Sequence, residues 1–136
     1  MIRAEHWDRL LVEWAQLRLN RAFAWGETDC ATLVREAVQV MTGRPFATDI
    51  AYRSITGAAR TWLRTGGTAA YLRHAGLTPV PLVEMRHGDI MVVPGAPFSG
   101  AFVNVRGRLL GSNSRDRVGW CALRPDILAA ATVLRV

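Results

Sequence analysis

The sequence predicts an α+β fold in which N-terminal helices pack on a small antiparallel sheet. Apolar residues recur at helical spacing over about residues 1–76, whereas short apolar runs separated by turn residues dominate residues 77–136. Helices that precede strands, rather than alternate with them, are typical of this class. The length of 136 residues predicts a single domain, 1–136, that is large enough to bury a core.

Four helices are predicted in the first part. In the first helix, bulky Trp and Leu residues recur at helical spacing between charged residues, which indicates a face packed on the core. Before the second helix, Thr28 or Asp29 is a suitable N-cap, and Gly43 is a suitable C-terminal stop. Cys30 therefore lies in the first turn of that helix. The predicted helices cover about 4–20, 29–42, 54–64 and 68–74.

The second part is rich in strand signals. Pro79 and Pro81 exclude a helix interior and predict an extended segment over residues 77–85. The Arg-Gly-Arg of residues 106–108 is typical of a hairpin turn, and the C-terminal Ala-Thr-Val-Leu-Arg-Val predicts a last strand. The predicted strands cover about 88–94, 101–105, 108–112, 118–123 and 131–136.

The chain is basic, with a formal net charge of +6, and all 17 of its basic residues are Arg. This charge permits nucleic acid binding, but the arginines are scattered, so a nucleic acid-binding basic domain is the weaker alternative. Arg-rich surfaces also suit protein–protein interfaces. No apolar run approaches the roughly 20 residues of a membrane helix. The N-terminus lacks the apolar segment of a signal peptide, so we expect synthesis in a cytoplasm.

Cys30 is the candidate nucleophile. Unpaired amides and the dipole at a helix N-terminus favour the thiolate, which is the reactive form of cysteine. The neighbouring Asp29 disfavours the thiolate unless its carboxylate is engaged in capping. Free cysteine is also among the most buried residue types, so the alternative is that Cys30 only fills space. Cys121 and the dispersed His residues predict neither a metal site nor a cofactor.

Two motifs occur in a familiar order: Phe-Ala-Trp-Gly-Glu-Thr-Asp-Cys at residues 23–30 and His-Gly-Asp at residues 87–89. With them the chain resembles the NlpC-type cysteine peptidases of the papain-like superfamily. More closely, it resembles an uncharacterised family encoded with the tail-tip genes of phages and prophages, which carries an F-x-WG-x-x-DC motif. The segments at 52–60 and 133–136 add to this resemblance, which covers about residues 20–136.

The resemblance implies a papain-like NlpC-type fold with Cys30 as the nucleophile, and with Gly88 and Asp89 opening the first core strand. In the peptidases the next strand begins with a catalytic His, but the corresponding residues 99–101 are Ser-Gly-Ala. None of these can act as a base at neutral pH. His87 is the only candidate for a substitute base.

Other positions of the resemblance are predicted to serve packing. Gly26 would form the turn, Asp29 the cap, and Phe23 and Trp25, with Cys30, the junction between helices and sheet. Trp25 either lines a groove or wedges the first helix against the second, and we favour the wedge. The position that orients the peptidases' catalytic His falls on Ser112 or Asn113, which are polar here.

The resemblance therefore implies a structural component of a tailed-phage or prophage tail tip or baseplate, with a degenerate peptidase fold. Its partners would be hub and distal-tail proteins of the virion. The alternative is an active cysteine peptidase that cleaves peptidoglycan stem peptides during phage entry. An active enzyme requires a His within hydrogen-bonding distance of the Cys30 sulfur, whereas a structural role requires a buried Cys30 without such a His.

Overall fold

The computed structural model describes residues 1–95, 99–113 and 116–136. The helices in this part are α1 (Trp7–Arg18), α2 (Cys30–Thr42), α3 (Ile55–Thr65), α4 (Thr68–His74) and α5 (Pro125–Ala129). The strands are β1 (Thr78–Val80), β2 (Ile90–Val93), β3 (Gly100–Val105), β4 (Arg108–Asn113), β5 (Arg117–Cys121) and β6 (Thr132–Arg135). Among the described helices, none is long and apolar enough to cross a membrane.

The six strands form one antiparallel sheet in the order β1-β6-β2-β3-β4-β5. Ile90 at the start of β2 pairs with Val103 of β3 on one side and with Leu134 of β6 on the other. The β3–β4 hairpin turns at Arg106 and Gly107, whose φ angles are 53° and 86°. Two residues with positive φ match the twist of antiparallel strands in a tight hairpin. The α+β class predicted from the sequence is confirmed.

Apolar clusters cover both faces of the sheet. On one face, Leu11 of α1 and Leu33 of α2 pack in a large cluster that includes Ile90. On the other face, Met91 belongs to a smaller cluster against which Ile127 of α5 packs. Neighbouring residues of a strand point to opposite faces, so β2 is apolar at every position because both of its faces are covered.

The predicted elements are confirmed with shifts of a few residues at their ends. The segment 77–85 is only partly extended, because Leu82–Glu84 forms a 3-10 turn after β1. Helix α5 was not predicted from the sequence. It has five residues, too few to show a helical period, and its Pro125 at the first helical position is compatible with either a helix start or a turn.

Helices α3 and α4 contribute to a third cluster. Ile50, Ala58 and Trp62 are buried there, and Trp25 and Tyr52 pack against them. The Ser54 hydroxyl caps α3 by accepting a 3.0 Å hydrogen bond from the Gly57 amide. The motif at 52–60 therefore supplies the cap and first turn of α3.

Candidate functional site

The turn before α2 depends on Gly26. Its φ is +79°, and a Cβ at this position would lie 1.9 Å from the Tyr52 carbonyl oxygen. Its amide donates a 2.7 Å hydrogen bond to Oδ2 of Asp29. Only glycine combines this backbone conformation with such a close approach, so the predicted turn role of Gly26 is confirmed.

Asp29 is the N-cap of α2, as predicted, and its side chain is buried. Oδ1 accepts hydrogen bonds from the Thr32 amide at 3.2 Å and from the Tyr52 hydroxyl at 2.6 Å. Oδ2 accepts one from the Gly26 amide and another, at 2.6 Å, from the Thr32 hydroxyl. Burial, and then the adjacent Asp29 carboxylate, raise the pKa of Tyr52, so Tyr52 remains a donor. Asp29 is therefore fully engaged in structure.

Cys30 does not have the properties of an activated nucleophile. Cys30 is half-buried as a residue, but desolvation of its sulfur raises the pKa of the thiol to about 11, and the Asp29 charge acts in the same direction. The Ala101 backbone amide and the first amides of α2 favour the thiolate, but they do not offset the loss of solvation. The helix-terminus effect that the sequence suggested is therefore present, and burial outweighs it.

The contact between Cys30 and Ala101 lies where the resemblance places a catalytic base. Strand β3 begins at Gly100, and the Ala101 backbone lies close enough to the Cys30 sulfur to act on the pKa of the thiol. The Ala101 side chain is a buried methyl group that cannot take up a proton. On the following strand, Ser112 donates a hydrogen bond to the Thr28 carbonyl and ties β4 to the turn before α2. The Asn113 side chain lies outside the described part of the chain.

His87 is not brought to Cys30. Its ring stacks on Trp7 at a centroid distance of 5.2 Å, its Nδ1 accepts from the Arg106 amide, and its Nε2 pairs with the Asp8 carbonyl. A Cβ on the adjacent Gly88 would lie 2.7 Å from the Trp7 ring and 3.0 Å from Sδ of Met41, in the last turn of α2. With a rise of 1.5 Å per residue, this end of α2 lies roughly 16 Å from Cys30. Both ring nitrogens of His87 are therefore engaged in hydrogen bonds to the backbone.

The remaining histidines also lie apart from the thiol. His6 precedes α1 and lies 3.4 Å from Glu5, while His74 ends α4. Within the described residues, no hydrogen bond joins Cys30 to a His, and no group of three or more His, Cys, Asp or Glu residues is arranged to hold a metal. Both Cys30 and Cys121 are free thiols.

Asp89 forms a second buried network. It has no exposed surface, and Arg135 donates to both of its oxygens, at 2.9 Å and 2.8 Å. The Arg86 amide donates to Oδ2 as well. The bidentate pair joins the start of β2 to β6. The Asp of the Gly-Asp motif and the Arg of the closing Val-Leu-Arg-Val therefore hold these two strands together. Sequence reasoning missed Arg135, although a lone Arg among apolar strand residues was a signal for a buried partner.

A cleft of about 670 Å³ lies beside the turn before α2. Trp25, Tyr52, Arg35 and Arg53 are among the residues that line it, and Cys30 is not. Trp25 packs on the Ile50–Ala58–Trp62 cluster rather than between α1 and α2. The predicted wedge between α1 and α2 is therefore wrong, and Trp25 lines the cleft instead. Phe23 meets Trp25 edge to face, and its amide donates to the Asp116 carbonyl beside β5.

A family model described as "Domain of unknown function (DUF6950)" matches residues 2–133. The chain belongs to this family. No curated protein matches the chain. For a DUF6950 domain, the structure offers one explanation of why Gly26, Asp29 and Asp89 occur at their positions. Each closes a hydrogen-bond network that joins segments distant in sequence.

Proposed function

We propose that this chain is a structural component of a tailed-phage or prophage tail tip, with a degenerate NlpC-type papain-like fold. One observation carries the proposal. The Cys30 sulfur lies near the backbone of Ala101, within the segment 99–101 that corresponds to the catalytic His of the peptidases, and the pKa of the thiol is raised to about 11. The phage assignment rests on the motifs at 23–30, 52–60, 87–89 and 133–136.

The papain-like part of the proposal is supported by the arrangement around α2. Cys30 opens the helix, the helix packs on β3, and Gly88 and Asp89 precede β2. This is the order of elements that the resemblance implies.

The same environment argues against catalysis. With a thiol pKa of about 11, about one molecule in 10,000 carries a thiolate at pH 7. A peptidase also needs a group that protonates the leaving amine and activates water for deacylation. Since no His lies at the thiol within the described residues, both steps lack a group. Loss of such a group lowers turnover by several orders of magnitude.

Helix α3 presents a surface suited to a protein partner. Leu63 is 86% exposed, Ile55 is 39% exposed, and they share one face of the helix with Ala59. Arg60 and Arg64 flank this ridge, and residues 50–83 contain four Arg but no Asp or Glu. Exposed apolar anchors framed by arginines are typical of protein interfaces. A hub or distal-tail protein with an acidic contact surface would complement this ridge.

Alkylation of Cys30 tests the inert-scaffold part of the proposal. In a Cys121→Ser variant, we expect iodoacetamide to react with Cys30 about 100-fold more slowly at pH 7 than after unfolding in urea, because the thiolate fraction differs by that factor when the thiol pKa is about 11 rather than the ordinary 9.0. The rate should rise steadily up to pH 10. A fast reaction that persists below pH 7 would contradict an inert thiol.

Particle composition tests the phage assignment. We expect mass spectrometry of purified tailed particles from the encoding strain to detect the chain in a fixed ratio to other tail proteins. Leu63→Asp should reduce its incorporation at least tenfold. Leu17→Asp is the matched control, because Leu17 is also exposed, at 66%, but lies on α1. Absence of the wild-type chain from purified particles would refute the assignment.

An activity assay tests the alternative. We expect no release of dipeptide from peptidoglycan stem peptides above the level seen with Cys30→Ser. Cleavage that is lost only in Cys30→Ser would establish the active peptidase instead.

A further inference from the structure

Arg35 lines the 670 Å³ cleft and is a half-buried cation without an ion-pair partner among the described residues. It belongs to α2, and its Nη1 donates a 2.7 Å hydrogen bond to the Ile50 carbonyl. Among the described residues, no carboxylate lies within 4.0 Å of its guanidinium. A guanidinium has five N–H donors, and a neutral carbonyl occupies one of them here.

A second arginine next to α2 shows the contrast. Arg18 is similarly half-buried, and its guanidinium grips Glu36 of α2 with a shortest contact of 2.6 Å. The acidic residues near Arg35 do not form such an ion pair with it. Asp49 accepts from the Tyr71 hydroxyl at 2.8 Å, and Asp29 is filled by its four donors. The hydrogen bond to the Ile50 carbonyl therefore holds Arg35 in position, and its other N–H groups can donate to a ligand.

The surroundings of Arg35 define the size and chemistry of a ligand. A second cleft of about 480 Å³ shares Gly26, Glu27, Thr32 and Arg35 with the first, so the two form one groove that passes Arg35. Ligand clefts fall in the range of about 300–1,000 Å³. Trp25 and Tyr52 give one wall aromatic surface, which suits apolar side chains.

The charge balance favours a singly charged ligand group. Among the charged residues that line the groove, Arg35 and Arg53 are positive and Glu27 is negative, while Glu36 is paired with Arg18. The buried Asp29 carboxylate lies next to Gly26 and Thr32, where four hydrogen-bond donors already engage it. The lining itself therefore carries one excess positive charge. A planar carboxylate matches a guanidinium in charge and geometry. A phosphate would bring a second negative charge toward Glu27, so it fits less well.

We propose that the Arg35 groove binds a peptide segment of a partner protein through a carboxylate, with the flanking apolar side chains against Trp25 and Tyr52. Arg35 forms the charged contact while it keeps its bond to the Ile50 carbonyl. The groove is separate from Cys30, and the inference does not depend on the tail-tip proposal.

NMR titration of the 15N-labelled full chain tests this site. The probes are acetyl-Leu-Glu-Leu-amide, its neutral match acetyl-Leu-Gln-Leu-amide, and inorganic phosphate. We expect the Glu peptide to shift the Gly26 amide and the Arg35 Nε–Hε signals saturably, with a Kd of about 1–10 mM. The Gln peptide and phosphate should bind at least tenfold more weakly.

Two variants decide whether Arg35 makes the contact. Arg35→Gln should weaken the Glu peptide at least tenfold, whereas Arg44→Gln, an exposed arginine outside the groove, should leave it unchanged. If Arg35→Gln does not fold, Arg35→Lys keeps the charge but loses the planar fork, and should weaken the peptide at least threefold.

Equal binding of the Glu and Gln peptides, tighter binding of phosphate, or no saturable shift by about 20 mM peptide would overturn the proposal. So would unchanged binding in the Arg35 variants. These outcomes concern the isolated chain, so they leave the particle test of the tail-tip proposal unaffected.

Discussion

The Tyr52 hydroxyl donates a 2.6 Å hydrogen bond to Oδ1 of Asp29, across 23 residues of sequence. Through this bond the loop before α3 is joined to the N-cap of α2. Gly26 approaches the same loop so closely that a side chain would collide with the Tyr52 carbonyl. The two motifs at 23–30 and 52–60 thus form one interlocked unit.

Removal of this hydroxyl should destabilise the fold. We expect Tyr52→Phe to lower the free energy of unfolding by about 1–3 kcal/mol, because a buried carboxylate loses one of its donors. Urea denaturation followed by circular dichroism measures the change. Tyr71→Phe is the matched control, since its hydroxyl bonds an exposed Asp49, and it should cost about 0.5 kcal/mol or less. Equal costs would mean that the Tyr52–Asp29 bond contributes little.

Gly26 should not tolerate a side chain. We expect Gly26→Ala to cost at least about 3 kcal/mol, because strain from positive φ adds to a clash with backbone at 1.9 Å. Gly107→Ala provides the comparison: its φ is also positive, at +86°, but a Cβ there meets nothing within 4 Å. It should cost about 1–2 kcal/mol. Thermal or urea unfolding that ranks the two variants alike would contradict the predicted clash.

The Asp89–Arg135 pair should be essential to the sheet. We expect Arg135→Ala to cost about 3–5 kcal/mol, because it leaves a fully buried carboxylate without its cation. The control is Arg124→Ala, whose pair with Asp126 is exposed on both sides, with an expected cost of about 0.5 kcal/mol or less. Denaturant midpoints at one protein concentration measure both. A small loss in Arg135→Ala would show that Asp89 finds other partners.

Burial of Cys30 should make stability depend on pH in the alkaline range. The folded pKa of about 11 exceeds the ordinary value of 9.0, so the unfolded chain releases this proton first as pH rises. The contribution is fully present below pH 9 and is lost as pH rises through 11. The difference of two pKa units corresponds to about 3 kcal/mol.

The measurement compares Cys121→Ser with Cys121→Ser/Cys30→Ala from pH 8 to 11. The stability of the double variant should fall less steeply between pH 9 and 11. Tyr52 and Tyr71 also have raised pKa values, but they are present in both proteins and cancel in the comparison. Parallel curves would mean that the thiol is not buried in solution.

Much of the local structure followed from the sequence, because its causes are local. Helical spacing identified α1 and α2, the Asp29 cap and Gly43 stop fixed the ends of α2, and Gly26 marked the turn. The absence of His from residues 99–101 is also visible in the sequence itself. Each of these signals lies within a few residues of the structure that it determines.

Only the tertiary structure decided the features that depend on distant segments. Tyr52 and Arg135 bind aspartates that lie 23 and 46 residues away in the sequence. The spacing of apolar residues along the chain does not predict such pairs. The five-residue α5 became visible only through the sheet face that it covers. The raised pKa of Cys30 follows from burial by both helix and sheet, whereas a helix N-terminus alone predicts the opposite direction. Desolvation depends on everything that surrounds a group, so it cannot be read from the group's neighbours in the chain.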